Sequence, residues 1–453
     1  MVIVHTVLNR GRLRPLSSMS IRFGVFAVFL ALGATAGAQP LGAAADCSTA
    51  PPVRLTWTDA QQRLVARNRE LVAARRAIDG AAADTIVAGQ EPNPALTAGL
   101  GSINPRLGVG SGSLWQKTVD SSVRVEQLIE RGGKRALRRR GAETLLAAAR
   151  EDRREVGRQQ RLLLAQTMVE SATLDARIAL LTEVTALYDE AGRANARRLS
   201  RGDIAAIDAQ RQSIDAARAS AELLQARSDA TRSRQTLAAL LAWEAYVASL
   251  SVDPAIFDTP REEVALSELE RRPDLLAARL RVEAARAARD LARSQANRDM
   301  TVGVQLDHFP GNAVNPSGNG NTVGFSFAIP LLADHRFEGE IARVTNDLLA
   351  AEENRQRLFA VASADLARLN ADVAAARSRL ELLDTVQRPL AEQVAQSAER
   401  GYTRGALTVL ELLDARRVLR QTRLDVLAAR AEVARATLAR NVALLAGGFA
   451  DPR

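Results

Sequence analysis

The sequence predicts a mainly α-helical chain with a small β part, built as a duplicated helix–strand–strand–helix unit. Three observations carry that prediction. Proline is absent between Pro105 and Pro254, and after Pro330 it recurs only at Pro389 and Pro452. A proline in a helix interior costs about 3 kcal/mol, so these stretches are free to be continuous helix. Segments of the first half recur in the second. Glu70-Leu71-Val72-Ala73-Ala74-Arg75 matches Asp274-Leu275-Leu276-Ala277-Ala278-Arg279, Asn93 matches Asn297, and Leu96-Thr97-Ala98-Gly99 matches Met300-Thr301-Val302-Gly303, all 204 positions apart, while Arg201-Gly202 matches Arg404-Gly405 at 203. Finally, each half holds two short pieces in which the helical period fails and side chains alternate with a period of two.

In chain order, residues 1–38 read as an export signal. Arg10, Arg12, Arg14 and Arg22 form the basic region, Phe23 to Leu32 the apolar core, and Ala36-Gly37-Ala38 a cleavage site. Met19 would also begin a signal of ordinary length. Residues 39–54 are a linker; its Cys47 follows Asp46, where a lipid-attachment motif wants a small residue, and reads as a spectator. The first repeat is 55–243, with strands at about 95–103 and 119–127 and a long helical hairpin turning near 198–203. A connection at 244–270 leads to the second repeat, 271–448, with strands at about 300–309 and 322–331 and a hairpin turning near 401–407. Residues 449–453 are a tail.

Composition narrows the function. Of 61 basic residues all but Lys117 and Lys134 are arginine, and the net charge of +9 falls to +5 without the four signal-segment arginines. Arginine and acid are interleaved at helical spacing, as in Asp152-Arg153-Arg154-Glu155, which reads as a solvated helix face rather than a nucleic-acid surface. With one cysteine and His5, His308 and His335 as the only histidines, neither a metal site nor a disulfide framework is expected. No H-E-x-x-H, G-x-S-x-G or P-loop signature is present, and Gly108-Val109-Gly110-Ser111-Gly112 precedes no helix that could offer a phosphate its N-terminus. No catalytic residue and no cofactor are expected.

The strands set the architecture. Val302, Val304 and Leu306 alternate with Thr301, Gly303, Gln305 and Asp307, and Phe325, Phe327 and Ile329 with Gly324, Ser326 and Ala328. Each piece is close to the ~9–11 residues that cross a bilayer at a tilt, with one apolar and one polar face. Four strands cannot close a membrane barrel, and an open edge in lipid leaves backbone groups unsatisfied at several kcal/mol each. A trimer would pool twelve. A helix over residues 134–197 would be about 95 Å long and needs partner rods. The strands are then either soluble hairpins or completed by other subunits. With the export signal, these features suggest an outer-membrane barrel continued by a periplasmic helical tube, which with three copies would be a trimeric twelve-stranded β-barrel on an α-helical barrel.

The residues also resemble a known family. Leu55-Thr56-Trp57-Thr58-Asp59-Ala60 with Asn68, Pro92-Asn93-Pro94-Ala95-Leu96, Arg271-Arg272-Pro273-Asp274-Leu275, Gly324 to Leu332 and Gly401-Tyr402 to Asp414 are similar, in order and spacing, to TolC-type outer-membrane efflux proteins over residues 55–448. Gly132-Gly133-Lys134-Arg135 and Ala292-Arg293-Ser294-Gln295 look most like the heavy-metal, cobalt–zinc–cadmium type. The resemblance implies a homotrimeric exit duct, working with a periplasmic adaptor and an inner-membrane RND-type pump and exporting heavy-metal cations. Multidrug efflux or type I secretion would use the same fold. A periplasmic adaptor or structural coiled-coil protein is the alternative of another class, but an adaptor would have one helical hairpin flanked by β-rich domains.

Three groups are candidate site residues. Glu411 and Asp414, three apart on one helix face, would form an acidic ring at the periplasmic mouth of a trimer. The resemblance maps Asp208 and Tyr402 onto a pair that latches neighbouring coiled coils, with Leu407 replacing the family's arginine, and Gly202 and Gly405 mark the hairpin turns. Arg131, Lys134, Arg135, Arg138, Arg139 and Arg140, six cations in ten residues at the foot of strand two, suit either anionic headgroups at the membrane boundary or the start of a soluble helix.

Overall fold

The computed structural model describes residues 54–444 except 104–105, 107–110, 114–116, 118, 259–265, 311–319 and 332–333. The expected signal segment, Cys47, nearly all of the linker, the 449–453 tail and most of the Gly108–Gly112 run lie outside the described residues. Helices α1 (Trp57–Arg67) and α2 (Arg69–Gly89) lead to strands β1 (Ala95–Gly101) and β2 (Asp120–Ile129), and then to α3 (Lys134–Ser200) and α4 (Ala206–Leu241). The second repeat follows the same order: α5 (Pro273–Ser294), β3 (Met300–Phe309), β4 (Gly320–Ala328), α6 (Glu338–Leu382), α7 (Arg388–Thr403) and α8 (Val409–Leu444). Strand β1 stops two residues before the expected Ile103 because Ser102 takes a positive φ of 56°. Strand β4 stops before Ile329 and Pro330, whose ring nitrogen cannot donate to a ladder.

The four strands form one antiparallel sheet in the order β1-β2-β3-β4, so the two repeats join through the β2–β3 pairing. Register assigns the faces. Leu96, Val125, Val304 and Phe325 lie in one row across the sheet, and Ala98, Val123, Leu306 and Val323 in another. These rows carry half of the sheet's large apolar side chains, and Leu100, Val302 and Phe327 fall on the same face; Phe325 is 83% exposed. The opposite face is polar: Arg124 Nε donates to Gln305 Oε1 (2.6 Å), Gln305 Nε2 to Asp307 Oδ1 (2.6 Å), and Arg124 pairs with Glu126 (3.3 Å). Outer strands β1 and β4 each have one unpaired edge within the chain.

The longest rod, α3, is made by a proline-free sequence. At 67 residues and 1.5 Å per residue, α3 is about 100 Å long. It packs against α2 and α5 near the sheet and against α4 and α8 further away. The main core lies around its middle, where Leu55, Leu64, Leu164, Met168, Leu237, Leu241, Trp243, Leu250 and Leu438 meet. The connection after α4 folds onto that core through short 3₁₀ turns, 244–249 and 254–258, and Leu55 bridges Val252 in parallel.

The opening motif has a structural reason. Thr56 caps α1, its hydroxyl accepting from Asp59 N–H (3.2 Å), while buried Asn68 caps α2 by accepting from Leu71 N–H (3.2 Å) and donates Nδ2 to Leu240 O (3.1 Å). One side chain therefore starts one helix and fastens it to the end of another. Asn68→Ala is expected to cost about 1–3 kcal/mol by orphaning these partners; an unchanged thermal unfolding midpoint would contradict that role.

Candidate functional site

Of the six cations below β2, Lys134 is buried and Arg138 half-buried, while Arg131, Arg135, Arg139 and Arg140 are exposed. Lys134, 3% exposed, donates Nζ to both oxygens of Asp299 (2.8 Å each) and to Asn297 O (2.9 Å). Arg138 grips both oxygens of Glu130, Arg135 pairs with Glu91 and donates to Gly89 O, and Arg139 pairs with Glu143 (3.2 Å). Arg131 gives its backbone N–H to Asp299 (2.9 Å), and Arg140 opens the same helix. Asp299, Glu130 and Glu91 sit at the ends of β3 and β2 and at the entry to β1, so Lys134, Arg138 and Arg135 bolt the sheet to the rods, while Arg139–Glu143 stays within α3 and Arg131, Arg139 and Arg140 are exposed. Gly132 and Gly133, with φ of 77° and 71°, let the chain turn tightly from β2 into α3. A Cβ on Gly132 would lie within 2.8 Å of the Asn297 side chain.

These contacts shift two carboxylates. The Arg138 hydrogen bond holds Glu130 below the ordinary carboxylate range, against partial burial. Burial alone would raise Asp299, but Lys134 and the Arg131 N–H outweigh it and the net shift is downward. Groups depressed in the folded state contribute stability above their unfolded pKa, about 4, and lose it as pH falls through the folded value.

At the far end of the rods Gly202 (φ 78°) and Gly405 (φ 75°) make the two hairpin turns. Glu411 accepts from the Thr408 N–H and hydroxyl (2.8 Å each), while Thr408 Oγ1 accepts from Glu411 N–H (3.3 Å). This is a reciprocal capping box for α8, and these bonds, backbone first, hold the Glu411 carboxylate below its usual range. Asp414, 69% exposed, is 3.9 Å from Arg417. Both acids line one open groove beside Leu390, Val394 and Val418.

Asp208 and Tyr402 do not meet within the chain. Asp208 faces Arg211 on its own helix (3.9 Å), whereas Tyr402 Oη receives a hydrogen bond from Arg198, whose guanidinium also lies over the ring at 5.4 Å. Arg198 is near the end of α3, one turn before Gly202, and so reaches the second hairpin where Asp208, beyond the turn, does not. A larger tie was not evident from sequence. Three arginines on α8 point at the first hairpin: Arg417 to Asp215 (2.9 Å), Arg420 to Glu222 (3.8 Å) and Arg423 to Glu183 (3.6 Å). Their spacing was the available signal, but interleaved charge reads equally as a solvated face. Asp152 pairs with Arg281 of α5 while staying half-exposed, in keeping with a solvated face, whereas Glu155 pairs with Arg158 on its own helix and is largely shielded from solvent.

Among the described residues no three His, Cys, Asp or Glu side chains are grouped to hold a metal ion. His308 contacts Asn321 (2.7 Å) and His335 contacts Glu340 (2.8 Å). No helix among them is long and apolar enough to cross a membrane.

A sheet with one lipid-compatible and one wet face, set on rods about 100 Å long, defines an outer-membrane channel protein. The chain belongs to the outer membrane efflux protein family, whose sequence model matches residues 60–242 and 265–447. It is 25% identical over 323 residues, 71% of this chain and 76% of the relative, to the cobalt-zinc-cadmium resistance protein CzcC of Cupriavidus metallidurans. Its fold matches the outer membrane protein VceC of Vibrio cholerae with a TM-score of 0.72 at 20% identity, covering 87% of this chain and 96% of that one. It matches CusC with a TM-score of 0.72 at 16% identity, covering 86% and 91%. The protein is therefore a transport duct of the outer membrane with a periplasmic helical extension, and not an enzyme.

Two outcomes follow from the bolts and caps. Lys134→Ala leaves Asp299 half buried without its cation and is expected to cost about 2–4 kcal/mol at neutral pH. The acid-unfolding midpoint should move upward, and an unshifted acid limb would contradict the role given to the pair. Thr408→Ala should cost about 1 kcal/mol and raise the pH at which Glu411 titrates, read by carboxylate NMR; titration at the wild-type pH would exclude the capping box.

Proposed function

We propose that three copies of the chain close into one duct and that it carries heavy-metal cations out of the cell. The observation that carries the proposal is the sheet's pair of open edges. Leu96 and Leu100 of β1 and Phe325 and Phe327 of β4 are mostly exposed beside those edges, and in lipid neither edge has water to satisfy it. Joining β4 of one copy to β1 of the next satisfies both at once, and three copies make twelve strands, within the range of stable barrels. The polar face with Arg124, Gln305 and Asp307 then lines the lumen.

The same ring carries the helices. Exposed apolar residues on α4 (Ile207, Ile214, Leu224) and on the α6–α7 rod (Leu382, Val386, Leu390, Val394) lie on the two flanks of the chain and suit contact between neighbouring copies. Glu411 and Asp414 of three copies place six acids around the periplasmic mouth, a cation-favouring constriction. Arg198–Tyr402 and the α8 arginines hold that mouth closed, and Asp208 faces the same turn region. A passive duct needs partners, and a periplasmic adaptor with an inner-membrane RND-type pump fits a tube that ends in the periplasm. Cobalt, zinc or cadmium as cargo is supported by the CzcC likeness, and metal selectivity then belongs to the pump.

Deleting the gene should lower tolerance to cobalt, zinc or cadmium; loss of drug tolerance or of protein secretion alone would replace the metal reading. Arg198→Ala and Tyr402→Phe should each raise single-channel conductance of the reconstituted trimer several-fold, and unchanged current in both would remove the latch.

A further inference from the structure

We infer that the outer side of the β2–β3 junction is a docking surface for the anionic phospholipid headgroups of the periplasmic leaflet, made by Arg131, Arg298 and Arg140. The inference rests on reading the apolar face of the sheet as its lipid side. Along that face the two middle strands pair Ser121 with His308, Val123 with Leu306, Val125 with Val304, Gln127 with Val302 and Ile129 with Met300. Two residues further on in each strand's direction of travel past that last pair stand Arg131 and Arg298, both exposed. The alternation carries them to the side of Ile129 and Met300, and carries Glu130 and Asp299 to the opposite, polar side with Glu126.

The spacing fits a membrane. Ten residue steps separate Ser121 from Arg131, about 33 Å along a strand. A tilt of about 40° reduces this to about 25 Å, the height of a barrel's apolar band. The band therefore runs from the polar row Ser121, His308 and Asn321 to the two arginines. The one polar side chain between those limits on the middle strands, Gln127, donates to Pro92 O (2.8 Å). Because α3 leaves and α5 arrives at the arginine end, that end is the periplasmic one.

Arg140 joins the same side one helical step lower. Around α3, Gly141 lies against Ala287 of α5 and Arg139 against Gly89 of α2, while Arg138 turns to Glu130 on the polar side. At 3.6 residues per turn Arg140 is about 200° on from Arg138, so it points away from the lumen. Its long side chain reaches back towards the headgroup layer.

These three are the cations left over at this level. Asp299, Glu91, Glu130 and Glu143 are taken by Lys134, Arg135, Arg138 and Arg139. Among the described residues no carboxylate pairs with the guanidinium of Arg131, Arg140 or Arg298. Ile129, 40% exposed, stands directly above, so adjacent side chains meet the acyl chain and the phosphate of one lipid, and a guanidinium suits the phosphate. As β2 and β3 are the middle strands, closure between copies at β1 and β4 leaves this junction uncovered.

Native mass spectrometry of the full chain in detergent, offered equal amounts of phosphatidylglycerol and phosphatidylcholine with the same acyl chains, tests the surface. Wild-type protein should retain phosphatidylglycerol at least about fivefold over phosphatidylcholine, the gain that one arginine brings near an anionic surface. Arg131→Gln with Arg298→Gln should bring the two lipids to parity. Arg201→Gln with Arg404→Gln, an equal loss of charge at the hairpin turns, should leave the preference unchanged. Equal retention by wild type, or an undiminished preference in the first double variant, would overturn the surface. A measurement on wild type alone guards against misfolding of that variant. Raising salt from about 0.1 M to about 1 M shortens the screening length from about 10 to about 3 Å and should remove most of the preference, and a preference indifferent to salt would overturn it. Abolition of the preference by millimolar inorganic phosphate would overturn the lipid in favour of a soluble anion. A preference shown by a monomer would support the surface and defeat the trimeric duct, because one spectrum reads mass and lipid separately.

Discussion

The constraint on which the structure depends is that a strand edge in hydrocarbon has no solvent to complete its hydrogen bonds. A four-stranded antiparallel sheet with an apolar face bearing Val304, Leu306 and Phe325 is suited to lipid on that face. Its two outer strands are not suited to lipid at their edges. The proposed closure by copies of itself would resolve the conflict using only what the chain carries. Lys134 with Asp299 and Arg138 with Glu130 bolt the strands to the rods at the point where both repeats converge.

The rods meet a second constraint, which is that a helix about 100 Å long cannot be buried by one compact core. The chain answers with a single large cluster at mid-height and with small ones spaced along the hairpins. Between clusters, charge takes over: Arg234–Asp175, Arg286–Glu352 and Arg417–Asp215 each join different helices. These half-exposed pairs are each worth little singly, so the rods are held by many small contacts.

Duplication supplied the plan, and divergence supplied the asymmetry. At one layer of the first hairpin Asn195 hydrogen-bonds Gln212 in a buried polar pair, whereas the positions 203 residues later, Ala398 and Ala415, are buried alanines. A buried amide facing alanine would lose its partner, so this layer favours pairing of α3 with α4 over exchange between hairpins. A second divergence is the π-turn at Leu383–Gln387, which joins α6 to α7 just before Pro389.

Much of this was legible in the sequence because it is written in period and punctuation. The alternation of Val302, Val304 and Leu306 marks β3 and its outer face, the proline-free run marks α3, and Gly202 and Gly405 mark the turns. What was not legible depends on partners distant in sequence. The spacing of Arg417, Arg420 and Arg423 is the same whether they face water or another helix, and nothing local shows that Lys134 finds Asp299. Thr408 and Glu411 have the spacing of a capping box, a pattern that an exposed acidic face shares. Pro389 signalled a break without revealing that the helix would widen rather than end. The most direct test of the account is cross-linking in the outer membrane, with Cys47→Ser as background, a cysteine at Ala98 in β1 and a second scanned along 322–327 in β4. The account predicts a ladder ending at a covalent trimer, whereas monomer alone at every scanned position, in membranes that contain the protein, would contradict it.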